Sequence, residues 1–308
     1  MWWYFGKRLL QTIPVILGST LLIYAMVFLT PGDPITALFG DKPVSPAVKA
    51  QLEEQYHLNK PFLEQWLLFL KGIASGDFGT SFTGRPVIDL IKDAFPVTVR
   101  LAFMALFIEA FFGVIFGTIA GIRKGKLFDS TMLVVSLLVI AVPIFVYGFL
   151  LQLVIGVKLG WAPPIVGVDA SFSDLIVPAI VLGSVSFAYV LRLTRNSISE
   201  NLTADHVRTA RAKGLSEGGV ITKHVLRNSL IPVVTFLGAD LGGLMAGAVV
   251  TEGIFNIQGV GNLAFQSVRQ GESPTIVSVV TILVLVYVVT GLLIDLLYAL
   301  LDPRIRYA

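Results

Sequence analysis

Runs of about 20 residues with almost no charge constrain this chain more than any other feature, because that is the helix length needed to cross a hydrocarbon core of about 30 Å. There are six: Leu9–Leu29, Leu101–Ile122, Thr131–Val157, Leu175–Leu191, Leu230–Thr251 and Ile276–Leu301. Backbone amides in lipid have no water to bond, so such runs fold as helices that satisfy themselves. The expected fold is an all-α membrane protein with six transmembrane helices. Charged residues make up 14% of the chain, against about 25% in soluble domains. Three runs hold one acid each, Glu109, Asp240 and Asp295, and an acid at membrane depth faces protein or a water-filled path.

The first run follows Lys7 and Arg8. Its apolar core is longer than a signal peptide's and no small-x-small cleavage site comes after it, so it reads as a retained helix. Trp2, Trp3, Tyr4 and Phe5 read as an amphipathic foot along the inner interface. Lys and Arg at Lys7, Arg8, Arg123, Lys124, Lys126, Arg304, Arg306 and through Arg192–Arg227 outnumber those of the opposite connections. Both termini are therefore expected in the cytoplasm. Three parts follow: 1–30, the foot and first helix; 31–96, an extracytoplasmic segment; and 97–308, the remaining helices with a cytoplasmic connection at 200–229. The formal charge of +3 lies at membrane boundaries, where anionic lipid explains it without nucleic acid. Without cysteine there is no disulfide and no thiolate chemistry.

Within 31–96, Ser45 before Pro46 opens a helix to about Tyr56, and a second runs from Pro61 to about Ile73 with Phe62, Trp66 and Leu70 on one face. This cap is either a docking platform or a lid on the helix ends. Trp161 in Gly160-Trp161-Ala162-Pro163-Pro164 suits the headgroup level.

The connection Arg192–Ser229 is more telling. Thr203 is placed to cap a helix that runs to Lys213, and Gly214 then provides the left-handed residue that ends it. Ser216 and Glu217 start a second helix leading to Pro232 at the mouth of the fifth span. A stiff, cationic segment of this kind either fits a partner's groove or only fixes topology. In the fifth span, Gly238, Gly242, Gly243, Ala246 and Gly247 have small-x-x-x-small spacing. That spacing lets helices approach closely, and with Asp240 among them it also leaves room for a substrate path.

Enzyme chemistry is not legible. The string nearest a phosphate-binding loop, Gly121–Leu127, has the wrong spacing and lacks the hydroxyl. His57, His206 and His224 lie far apart, and Gly-x-Ser-x-Gly is missing. The chain is expected to be non-catalytic and to need no cofactor of its own. A proton-coupled secondary transporter is the alternative, with Glu109, Asp240 and Asp295 as a relay. No paired interrupted helices and no histidine among the acids accompany it.

Several strings together resemble one family. Arg208-Thr209-Ala210-Arg211-Ala212-Lys213-Gly214-Leu215, with His224-Val225-Leu226-Arg227-Asn228-Ser229-Leu230-Ile231-Pro232 after it, is similar to the ATPase-coupling segment of dipeptide and oligopeptide ABC importer permeases. Thr30–Pro34, Gly76–Ser81, Leu159–Trp161, Ile254–Gly261 and Leu301–Arg306 agree and span the chain. The long first outer loop resembles that of the first of the two permeases. Arg208-Thr209-Ala210 replaces the Glu-Ala-Ala of the general importer motif, as in peptide-type permeases, and Gln258 stands where proline is expected.

The resemblance implies type I permease architecture in the cytoplasmic (inner) membrane. It implies a second homologous permease, two cytoplasmic ATPases that bind ATP and Mg, and an extracytoplasmic peptide-binding protein. Arg208 to Leu215 would then form the ATPase coupling site. Related permeases carry dipeptides, longer peptides, nickel chelates, glutathione or haem, and di- or oligopeptides are the expected cargo.

Overall fold

The computed structural model describes residues 2–28, 45–55, 57 and 59–301, with backbone alone for 2–5, 7, 47, 48, 51, 52, 55, 247 and 295–301. The motifs at Thr30–Pro34 and Asp302–Arg306, and the side chain of Asp295, lie outside the described residues. The described part is helical, with one isolated bridge between Thr80 and Pro86. In chain order the helices are α1 (Trp2–Phe28), α2 (Pro46–Gln55), α3 (Phe62–Ala74), α4 (Val87–Ile122), α5 (Leu127–Ala141) and α6 (Ile144–Leu151), which widens into a π-helix over Gln152–Lys158. There follow α7 (Ile176–Asn201), α8 (Asp205–Ala212), α9 (Glu217–Val220), a π-helical turn over Ile221–Leu226, α10 (Arg227–Phe255), α11 (Val260–Gln270) and α12 (Ser273–Leu301).

Five stretches are long and apolar enough to cross a membrane: Arg8–Phe28, Val87–Ile122, Ile176–Asn201, Glu217–Ala246 and Ser273–Ile294. A sixth span exists only as a pair, Leu127–Ala141 and Ile144–Lys158, bent by 100°. The single straight span expected over Thr131–Val157 is thus corrected. The cause is local: Pro143 disfavours the helical region for the residue before it, and Val142 is extended at φ −94° and ψ 128°. Two further expectations change. Trp2–Phe5 continue into α1 as one helix, so they form no separate foot. Helix α7 runs ten residues past Leu191 to Asn201, which moves Arg192 and Arg195 from a loop onto a helix.

The chain groups into two compact units, one of residues up to Thr98 with those from Asn256 onward, the other Val99–Phe255. In the first, α1 packs on α12, α12 on α11 and α3 on α1. The aromatic face foreseen for α3 lies on α1: the Tyr24 ring is 5.8 Å from Phe62 and 5.5 Å from Phe69. Trp66 Nε1 donates to Thr20 Oγ1 at 3.4 Å. This face packs on the first span. Glu272 pins the turn before α4, accepting from the Phe82 amide at 2.6 Å and from Thr275 Oγ1 at 2.7 Å, while Ser278 Oγ donates to the Phe78 carbonyl at 2.7 Å.

In the second unit α7 is central, with half of its apolar window buried. It packs on α10, α5 and α6. Against α4 the contact is made by glycines: a Cβ on Gly113 would lie 2.7 Å from Val190 Cγ1, on Gly117 2.6 Å from the Leu191 carbonyl oxygen, and on Gly121 2.7 Å from Ile198. These three glycines recur every four residues on one face, so the two backbones approach as far as atoms allow. Gln152, in the π-helix, donates to the carbonyls of Pro164 at 2.7 Å and Ile254 at 3.1 Å. That second bond satisfies a carbonyl which the end of α10 leaves without a helical partner.

Candidate functional site

Helix α8 is an eight-residue amphipathic piece that buries Val207 and Ala210, one turn apart. They join Ile198 of α7 and Val220 and Val225 of the following turn in one apolar cluster, flanked by Leu202 and Leu226. The short helix is therefore seated on the end of α7 and the start of the next span. Ser229 Oγ, buried, donates to the Ser197 carbonyl at 3.1 Å and ties those two helices directly. Ala210 faces this interior, so among Arg208–Leu215 it is a seating residue and no outward contact.

The end of α8 is set by glycine. Gly214 has φ +76°, its amide bonds the Arg211 carbonyl at 2.9 Å, and the Leu215 amide reaches the Ala210 carbonyl at 3.4 Å. This pair of bonds around one left-handed residue is a Schellman turn. Ser216 then caps α9, its Oγ accepting from the Gly219 amide at 3.4 Å. At the other end the expectation fails: Ala204 is the N-cap, without a side-chain bond. Thr203 instead turns its hydroxyl back onto the Glu200 carbonyl at 2.9 Å.

Across the elbow, Arg211 grips Glu217 with two nitrogens, at 2.8 and 3.3 Å, and its third reaches the Leu202 carbonyl at 3.4 Å. Arg211 thus fastens the turn. Arg208 pairs loosely with Asp205 at 3.5 Å, both strongly exposed. His206 Nε2 lies 3.2 Å from the His224 carbonyl and 3.1 Å from Asn228 Nδ2. Left facing outward are Arg208, Thr209, Ala212, Lys213, Gly214 and Leu215. Leu215, an apolar residue 47% exposed at the tip, lies beside two cations. A rigid, basic knob with an apolar tip is suited to a groove.

A second fastener, not foreseen, sits where α5 and α7 begin and end. Arg195 Nε and Nη2 meet Asp129 at 2.9 and 2.7 Å, and Asp129 also accepts from the Gly125 amide at 2.8 Å. The Asp129 side chain is 3% exposed and that of Arg195 16%. The sequence signal was an acid in the first turn of an apolar run, facing a basic boundary on another.

The small residues of the fifth span behave unequally. Gly242 is buried and Gly238 partly so, whereas Gly243 and Ala246 are exposed; Gly247 is described by its backbone alone. The close-packed glycine seam of this unit lies on α4, at 113, 117 and 121, a four-residue spacing that was legible. Asp240 is brought to Glu109 of α4, about 20 Å along α10 from Arg227 at 1.5 Å per residue. Asp240 thus lies well along α10 from the end of that helix that follows α8 and α9.

Residues 113–307 match the family described as binding-protein-dependent transport system inner membrane component. The chain belongs to this family. It is a permease component of the inner membrane. It is 36% identical over 331 aligned residues to the di/tripeptide transport system permease protein DppB of Pseudomonas aeruginosa (strain UCBPP-PA14), covering 99% of this chain and 98% of that one. Against the oligopeptide transport system permease protein AppB of Bacillus subtilis (strain 168) it is 36% identical over 314 residues, covering 99% of each. In fold it is similar to a crystal structure of an amino acid ABC transporter with histidines, at a TM-score of 0.53 and 16% identity over 68% of this chain and 93% of that one. At that identity the likeness concerns fold alone.

Proposed function

We propose that this permease forms half of the translocation pathway of an ATP-driven importer of di- or oligopeptides. The observation that carries the cargo class is near-complete alignment with permeases named for dipeptides and oligopeptides. In this reading both termini are cytoplasmic and the α2–α3 region is outside. The chain pairs with a second, homologous permease, receives peptide from an extracytoplasmic binding protein and engages two cytoplasmic ATPases. ATP and Mg are bound by those ATPases, and this chain needs no cofactor and catalyses nothing.

The coupling surface is the exposed part of Arg208–Leu215, led by Leu215, Ala212 and Lys213. Its mechanical role follows from how it is held. The apolar cluster beneath Val207 and Ala210 and the Ser229–Ser197 bond leave α8 little freedom to move alone. A push on the knob becomes a rigid-body displacement of α7 and α10, the kind of motion alternating access requires.

The test is uptake by the reconstituted complex. Transport should require ATP hydrolysis and persist when the proton gradient is collapsed at constant ATP. Uptake driven by an imposed pH gradient without ATP would establish a secondary transporter instead. Ala212→Cys, a lone thiol in a chain without cysteine, should form a disulfide with a groove position of the ATPase whose Cα comes within about 7 Å.

A further inference from the structure

Glu109 is completely buried on α4, and neither of its carboxylate oxygens has a hydrogen-bond donor; the same is true of the buried Asp240 Oδ2. The two side chains reach each other between α4 and α10. Both are acceptors when ionised, so their contact is a bond only when a proton lies between them. Two like charges in apolar surroundings do not both persist. Among the described residues Asp240 is the charged side chain that acts on Glu109, and no Lys, Arg or His answers it. A cation reaching this pair would therefore meet carboxyl oxygens that lack donors.

Access exists on one side. Asp240 is only partly buried, and a Cβ on Gly243 would stand 3.7 Å from its Oδ1. Gly243 and Ala246, on the same stretch, are exposed. The outer oxygen of the pair thus borders an open wall of small residues, while the inner carboxyl is sealed.

We propose that Asp240, backed by Glu109, is a cation-accepting station on the translocation route that receives the α-ammonium group of a peptide, an assignment that rests on the peptide-importer reading above. An ammonium group offers three donors and suits acceptors that lack any. Calcium takes six to eight oxygen ligands, more than two carboxyl groups supply. A wall of glycine and alanine sets almost no steric limit on side chains. Recognition would then fall on the terminal charge that all unmodified peptides share, which fits a route passing many sequences.

The experiment uses the complete complex in proteoliposomes, with Gly243→Cys as the only thiol of this chain and thiol-free partner subunits. Reaction with a trimethylammonium thiosulfonate and with a sulfonate thiosulfonate is compared, each relative to its rate with a free thiol. Field focusing by one carboxylate predicts about a tenfold preference for the cationic reagent, the low end of such effects. Adding Asp240→Asn should bring the ratio near one. Dialanine should slow the cationic reagent and N-acetyl-dialanine should not. Ala246→Cys is the second probe should Gly243→Cys fail to assemble. Absence of reaction at both positions in every nucleotide state, or reaction without charge preference, overturns the station. Charge preference without protection by dialanine overturns the ammonium assignment. Failure of the native complex to take up dialanine sinks the peptide-importer reading separately, because the reagent ratio is read without transport.

Discussion

Replacing Gly214 isolates one physical quantity. The residue sits at φ +76°, and a Cβ placed on it meets nothing within 4 Å. A side chain there has ample room, so any cost is that of the left-handed backbone, about 1–2 kcal/mol for alanine. Since 1.4 kcal/mol is a factor of ten, Gly214→Ala should raise the population of opened elbow about tenfold. Gly214→Val should do more, because a β-branched residue is a true outlier in this region, whereas Gly214→Asn should do less. The predicted order, Asn below Ala below Val, is not the order of size. Hydrogen exchange at the amides of Gly214 and Leu215, which bond the carbonyls of Arg211 and Ala210, reads the opening directly. ATP hydrolysis measured beside peptide uptake reads its consequence: Gly214→Val should retain hydrolysis and lose uptake. If Asn exchanges faster than Ala, or Ala is protected like glycine, the conformational argument is wrong. In that case contact with a partner, and not backbone shape, accounts for the glycine.

Other perturbations act on the scaffold. Asp129→Ala leaves Arg195 largely buried without its partner and should cost about 3 kcal/mol, seen as a lower thermal midpoint in detergent; adding Arg195→Met should recover part of it. Gly117→Leu places atoms where the Leu191 carbonyl and Thr194 already lie and should prevent recovery of folded protein, while Gly243→Leu, on an exposed position, should not. Gln152→Leu removes the donor to two carbonyls and should destabilise by about 1–3 kcal/mol, measured by the same unfolding assay.

What was legible follows from the physics of each signal. Apolar length is a property of the chain by itself, so the spans in α1, α4, α7, α10 and α12 were readable, as was the glycine stop at 214, which depends on a single residue's conformational freedom. Where a span stops depends on what meets it. Arg192 and Arg195 looked like loop charges because basic residues usually flank spans, yet Asp129 gives Arg195 a partner and the helix runs on to Asn201. The bend at Val142–Pro143 was written in the sequence, but a proline inside a membrane helix is often tolerated, and Pro14, Pro96 and Pro232 all lie inside continuous helices here. At the candidate site, the outward or inward orientation of single residues needed the fold. Ala210 and Ala212 are alike in sequence, and only the cluster around Ile198 and Val225 shows that the first is seated and the second exposed.

The distribution of polar fasteners and small residues bears on how a push at one end of this chain would travel. Three joints are directional: the exposed Arg211–Glu217 fork at the elbow after α8, the buried Asp129–Arg195 pair between α5 and α7 and the Ser229–Ser197 bond between α10 and α7. Each resists rotation of one helix end against the next. Along α4 and α7 the contact is instead a seam of glycines against side chains and backbone, which is close but has few directional bonds. Such a seam resists separation more than it resists small sliding. Displacement of α8 would therefore be passed stiffly into α7 and α10, while the α4–α7 contact allows the shear that turns it into a change at the level of Asp240. A chain built the other way, loose at the elbow and bonded at mid-membrane, would absorb such a push before it reached Asp240, so the arrangement suits the coupling proposed above.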